Sequence, residues 1–459
     1  GSNNVALGFT AGKASTTGHS NVAIGFEALL NEDTGRKNVA IGYEALKDQN
    51  SDADNYNVAV GYQAGGNVTT GTQNSLIGAA TGDALTGGGD NTALGAFALS
   101  GDTNGSKSVA IGRFALYVQN FSSSTDVFNV AVGHGTGSAI TTGFQNTLVG
   151  GLAGDALTDA DYNIAIGQGA LGADTLGSRA VAVGVFALNE QNFSSATDNY
   201  NVGVGFYAGR KITTGVENVF IGGLAGDALT TGNDNTALGH QSLSVDTKGS
   251  RNTAIGAFAL ANQNFTSQTA SYNTAVGYGA LISNTTGSEN TSVGGLSGDA
   301  LTVGANNTVV GSQALSSDTQ GSQAVAIGRG ALFAQNFTSA TSNQNTAVGY
   351  AAGNQITTGV QNTLIGGLAG DALTDADNNV AIGRSALTAD TLGSRSVAIG
   401  FQALSTQNFT SATDVYNVAV GQNAGLSVTT GTSNTLIGGL VGDALTTGNS
   451  NVAMGYSAL

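Results

Sequence analysis

A five-residue phrase closes on glycine again and again: Asn38-Val39-Ala40-Ile41-Gly42, Asn57-Val58-Ala59-Val60-Gly61, Asn91-Thr92-Ala93-Leu94-Gly95. Its closing glycine occurs 26 times between Gly8 and Gly455. From Gly61 the spacings run 17, 17, 17 and 21, then repeat, so Gly133, Gly205, Gly277, Gly349 and Gly421 follow at intervals of 72 residues. The first three coils break this cycle, and their long coil has 19 residues. A unit this short cannot enclose a core of its own. It must bury its apolar face against its neighbours, which is the logic of a solenoid.

The positions around the glycine obey separate rules. The fourth residue before it is Asn in 22 coils, and the exceptions are Ser108, Ala180, Ala324 and Ser396, all in the long coil type. The third before is β-branched except for Ser75, and the residue just before is always aliphatic. The second before is mostly Ala, with Leu76, Leu148, Leu364 and Leu436 in the second coil type. β-Branched and aliphatic residues alternating with a small one describe a short strand. A second short stretch follows, such as Phe97-Ala98-Leu99, and then a turn such as Thr141-Thr142-Gly143. Two strands and two turns per coil therefore predict an all-β, repetitive parallel β-roll, or β-solenoid, of 26 short coils. Residues 1–3 read as an expression scar or linker, 4–60 as three irregular coils, and 61–459 as the regular super-repeats, cut at the C-terminus in mid-repeat.

Stacked in register at the strand spacing of about 4.8 Å, the coils would make a rod roughly 120 Å long. The Asn at the fourth position (Asn21, Asn38, Asn57, Asn74, Asn91 and onward) would form a ladder bonding the coils above and below. The chain has no proline, as such stacking requires, because every backbone N–H is needed by a neighbouring coil.

Composition narrows the function. Only 10% of residues are charged, with a net charge of −16, which disfavours nucleic acid and anionic membrane surfaces as partners. There is no cysteine, so disulfides, thiolate metal sites and cysteine nucleophiles are excluded together. No apolar run is long enough to span a bilayer, so the segment is not expected to insert in a membrane. Alternation leaves apolar or small residues on both strand faces. One face fills the roll. The other, read as the one with Ala in most coils and Leu or Phe220 in the second type, would form a long exposed stripe. Self-association along the rod is the expected consequence, with the choice of inner face left open by the residues.

The Asn-x-Val-Ala-Ile-Gly-x-x-Ala repeats resemble the head repeats of trimeric autotransporter adhesins of the YadA-like class. They are also similar to repeats of phage-type tail fibres. The likeness covers essentially the whole chain, although these coils are longer and carry a strict 72-residue super-repeat. It implies a side-by-side homotrimeric fibre outside the cell, on a bacterial surface or a phage particle. Its function would be attachment, with a cell-surface glycan or protein receptor as external partner. The alternative is a passive shaft that holds a receptor-binding tip lying beyond this segment.

Two rows of residues invite a binding role. The long coils carry an insert with Asn120-Phe121, Asn192-Phe193, Asn264-Phe265, Asn336-Phe337 and Asn408-Phe409. Displayed, these would offer an aromatic ring and amides to a sugar; the plainer reading is that each Phe folds back over the roll edge. The Asn-Phe-Ser/Thr triplets match glycosylation acceptors, a match that repetition alone generates. The second row is Gly-Asp-Ala-Leu, with Asp83, Asp155, Asp227, Asp299, Asp371 and Asp443. One carboxylate per four coils is sparse for calcium, which takes six to eight oxygens, so a turn Asp bonding its own backbone is expected. Thr-Thr-Gly recurs mostly every fourth coil, so no continuous threonine plane for ice forms. The acids Glu32 and Asp33 sit in a polar turn, where solvation is the default. The three His residues are scattered, and no catalytic triad or phosphate loop is present. No enzyme activity and no cofactor are expected.

Overall fold

The computed structural model describes residues 1–459 and contains β-strands but no helix. It is a parallel β-solenoid of 26 coils, in two units, Gly1–Thr231 and Gly232–Leu459, each with thirteen of the three-residue strands. Each such strand is the segment between the asparagine and the closing glycine, for example Val39–Ile41 or Thr92–Leu94. Strands pair in parallel with like residues opposite. Val5, Ala6 and Leu7 face Val22, Ala23 and Ile24, and the same register is kept across the 19-residue step (Val39 to Val58) and the 21-residue step (Val109 to Val130). The extra residues of a long coil therefore leave the main sheet undisturbed.

The closing glycine turns the chain. Gly133 has φ +142°, and a Cβ there would lie 2.6 Å from the Gly150 carbonyl oxygen of the next coil. Only glycine fits such a bend with such close stacking.

The second stretch of each coil is not the strand expected of it. Residues such as Phe97 and Leu99 take left-handed conformations (φ 61° and 53°) and alternate with neighbours of negative φ. The alternation aims successive N–H groups along the coil axis. Phe97 N–H donates to Ala79 O at 3.0 Å on one side, and Leu99 N–H donates to Ala115 O at 3.0 Å on the other. Left-handed backbone costs a β-carbon-bearing residue about 1–2 kcal/mol, which the inter-coil bonds offset. A second strand, two residues long, forms only where a 21-residue coil stacks on the 17-residue coil before it, as with Gly105–Ser106 paired with Thr125–Asp126.

The core runs along the axis in columns. The middle strand residue points inward: Ala40, Ala59, Ala110 and Ala131 are fully buried, as are Leu76, Leu148 and Phe220. The expectation that this face would form the exposed stripe is reversed. Its partner column is the fourth residue after the closing glycine, and the two exchange volume. Beside many of the strand alanines, such as Ala40 and Ala93, the partner is a buried Leu, here Leu46 and Leu99. Where the strand carries Leu76, the flanking partners are Gly65 and Gly82, whose Cβ atoms would lie 2.7 and 2.9 Å from its methyl groups. At one position the sizes swap sides, with Ser292 in the strand and Leu281 in the partner column. Phe220, the largest buried side chain, lies beside Gly203 in the paired strand and against Gly209.

Candidate interaction surface

The residues flanking the inward one point out. In every strand these are the third and first before the closing glycine, and none of them is charged. Several are well exposed, including Ile77 at 41%, Leu94 at 44%, Ile166 at 39% and Ile365 at 38%. Each unit thus presents an uncharged, largely aliphatic sheet face that repeats once per coil.

Beside this face at one end stands a stack of rings. Phe9, Phe26, Tyr43 and Tyr62 each follow a closing glycine, and successive centroids are 5.4, 5.0 and 5.1 Å apart with interplanar angles of 12° or less. The faces of Phe26 and Tyr43 are covered on both sides, and Phe9 and Tyr62 close the ends of the stack. They extend the apolar surface and leave the two inner rings no free face for a sugar.

The asparagine column lies inside. Asn21, Asn38, Asn57, Asn74 and Asn91 are buried. Each Oδ1 accepts the backbone N–H of the equivalent residue one coil on, as from Asn74 N to Asn57 at 2.8 Å, from Asn38 N to Asn21 at 2.9 Å and from Ser108 N to Asn91 at 2.9 Å. The Asn57 Nδ2 donates to Gly71 O at 2.7 Å and that of Asn74 to Gly88 O at 2.9 Å. This is a side-chain-to-backbone ladder that pins strand to corner.

Where a long coil lacks the asparagine, the structure shows what replaces it. Asn201 N–H, which would have met residue 180, instead donates to Asn199 Oδ1 at 2.9 Å, and Asn345 N–H donates to Asn343 Oδ1 at 3.0 Å. Ala180 and Ala324 are thus each compensated by an asparagine one coil later. The equivalent residue is Ser271 where Asn252 keeps the ladder.

The insert loops divide into an inside and an outside residue. Phe121, Phe193, Phe265, Phe337 and Phe409 turn in and are 5–8% exposed. Asn120, Asn192 and Asn408 are exposed, whereas Asn264 and Asn336 are half-buried. Each of these amides accepts a threonine hydroxyl of the preceding coil, Thr103 to Asn120 at 2.9 Å and Thr319 to Asn336 at 3.0 Å among them.

Beneath each loop lies a polar anchor that sequence reading passed over. Asp102, Asp174, Asp246, Asp318 and Asp390 are fully buried. Asp318 accepts Gly321 N–H at 2.9 Å, Phe337 N–H at 3.1 Å and Gln335 Nε2 at 2.6 Å. The Gln335 Oε1 then accepts Asn345 Nδ2 at 2.9 Å, joining the anchor to the ladder. Burial pushes the carboxyls of Asp102 and Asp318 above the usual range, against the opposing pull of the glutamine and backbone donors. A signal existed: the acid and the glutamine each lie seven residues after a closing glycine, in consecutive coils. The 19-residue coil keeps the arrangement with Glu32 and Gln49. Glu32 is therefore not a solvated turn acid. It is 1% exposed, accepts Gly35 N–H at 2.6 Å and Asn55 Nδ2 at 3.0 Å, and burial raises its carboxyl.

Of the Gly-Asp-Ala-Leu acids, Asp155 and Asp227 are bonded by their own backbone, and Asp83 and Asp299 accept Ser100 and Ser316 hydroxyls at 2.5 Å. No three His, Asp or Glu side chains converge. The corners carry small charged clusters. Lys107 pairs with Asp126 at 2.6 Å over the Phe128 ring, and Arg395 pairs with Asp414 at 2.9 Å over Tyr416. In the fourth copy the cation and ring become Gln323 and Gln344, bonded at 3.3 Å. Compared with known proteins, the chain matches no family model and no curated sequence.

Proposed function

We propose that this chain is a structural and adhesive segment of an extracellular fibre in which three copies lie side by side. The observation that carries the reading is the outward sheet face, uncharged in every one of the 26 strands although the protein as a whole has 44 charged side chains. A strip about 4.8 Å high and roughly 10 Å wide per coil offers about 600 Å² over thirteen coils. That approaches the ~800 Å² per partner of a standard stable interface. A second copy of the same chain has the matching period, the same absence of charge and the same length. The likeness of the repeat phrase to trimeric adhesin heads supports the number three. Adhesion would then draw on many weak contacts multiplied by avidity.

The test is sedimentation velocity. The mass is expected near three times 45.2 kDa. Replacing Ile166 and Ile365 by Glu on the outward face should reduce it to one chain without loss of β signal, because both side chains point to solvent in the single chain. A wild-type monomer would overturn the trimer. Retention of cells or glycans by the isolated wild-type segment separates the adhesive role from the passive shaft.

A further inference from the structure

The repeat has one break that opens a cleft. Two residues after the closing glycine, the long coils carry Phe114, Phe186, Phe258, Gly330 and Gln402, and five after it they carry Tyr117, Asn189, Ala261, Phe333 and Ser405. In the fourth copy the ring has left the first position for the second, and Gly330 leaves a gap. The resulting cleft, of about 240 Å³, is lined by Gln313, Arg329, Phe333, Tyr350, Asn354 and Gln355.

Its cation is unusual in this molecule. Of the eight arginines, Arg36, Arg179, Arg251 and Arg395 pair with an aspartate, and Arg113, Arg210 and Arg384 lie over a ring. Arg329 alone does neither, and it is exposed at the cleft. The rings differ from the stacked ones too: Tyr350 is 58% exposed and Phe333 36%, and neither is paired with another ring. The floor is fixed by Asn354, whose Nδ2 donates to Gly330 O at 3.0 Å and whose Oδ1 accepts Gln355 Nε2 at 2.7 Å. The Gln313 amide and the Gln355 carbonyl remain to meet hydroxyl groups.

We infer that this cleft binds a hexose bearing a carboxylate, a uronic acid, within a surface polysaccharide. The guanidinium fork matches a carboxylate in two parallel bonds, and an unshared fork in an otherwise acidic protein gives selection by charge. The C–H face of a pyranose packs on an uncovered aromatic ring, and amides bond its hydroxyls. The inference deepens the adhesive reading and rests on it for the source of the ligand, while the cleft itself lies within one chain.

The experiment is titration calorimetry of the full chain with a galacturonate trisaccharide and, in parallel, the neutral galactose trisaccharide. The wild type is expected to take the acidic sugar at least tenfold more tightly, with affinity falling as salt rises. R329Q should abolish that preference, while R384Q, whose arginine covers Phe401, should leave it intact. Equal affinity for both sugars, or equal effects of R329Q and R384Q, would overturn the inference. Sedimentation of the same samples separates the two claims: loss of uronate binding at unchanged mass concerns the cleft alone, and a monomer that still prefers uronate refutes the trimer alone.

Discussion

The compensated ladder can be tested by moving one compensation to a new place. Asn252 is 1% exposed, and its Oδ1 accepts Asn273 N–H at 3.2 Å and the Ser271 hydroxyl at 2.8 Å. In Asn252→Ala the hydroxyl keeps its second partner, Ser250 O at 3.2 Å, but the fully buried Asn273 N–H has none. An orphaned buried amide costs about 1–3 kcal/mol, so the single variant should lose about 2 kcal/mol. The chain itself displays the remedy 72 residues earlier, where Ala180 is answered by Asn199, its Nδ2 held on Ser178 O at 2.8 Å and its Oδ1 on Asn201 N–H. Adding Ser271→Asn to Asn252→Ala should therefore restore most of the loss, a coupling of about 1–2 kcal/mol in a double-mutant cycle. Repeat arrays can open locally, so the assay is amide hydrogen exchange at Asn273 alongside urea denaturation. Protection at Asn273 should fall in the single variant and return in the double. A loss below about 0.5 kcal/mol in the single variant, or no recovery in the double, would refute the reasoning that the column works by satisfying backbone amides.

The volume exchange predicts that Leu364→Ser loses about 3 kcal/mol in urea denaturation. Adding Gly353→Leu, which reproduces the Leu281 and Ser292 arrangement, should recover a large part of it, since residue 281 already holds leucine at φ 51°. Gly370→Ala should destabilise by about 2–4 kcal/mol in the same assay, from left-handed strain and overpacking, since its Cβ would lie 2.8 Å from both Leu364 and Leu373. Burial raises the carboxyls of Glu32, Asp102, Asp155, Asp227, Asp318 and Asp371 in the folded state, so the fold binds more protons than the unfolded chain. Their contribution to stability is full below the ordinary carboxyl range and is lost as pH rises through the folded values. The melting temperature at high salt, which screens the exposed pairs of Asp54 and Glu44 whose carboxyls lie low, should accordingly be higher at pH 4 than at pH 7. Asp318→Asn should flatten that slope.

A period of 17 residues closed by glycine, with no proline anywhere, leaves parallel stacking in register as the one arrangement that satisfies every backbone amide, so the solenoid follows from the primary sequence. The short β-branched strand before the glycine is equally legible, because its side chains alternate. Which face turns inward is not, since Val39 and Ile41 are as apolar as any core residue and Ala40 is small enough to lie anywhere. Only the assembled coil decides, by bringing Leu46 of the partner column over the alanines and glycines over Leu76. The left-handed conformations of Glu44 and Leu46 leave no mark in residue type, because the inter-coil hydrogen bonds impose them against local preference. The carboxylate of Asp318 and the amide of Gln335 are 17 residues apart in the chain and 2.6 Å apart in the fold. Arg329 reads like any other arginine until stacking shows that no acid pairs with it and that it covers no ring. Periodicity in one dimension determined the architecture, while volume, hydrogen-bond direction and the vacancy beside Gly330 arose only when neighbouring coils were laid on one another.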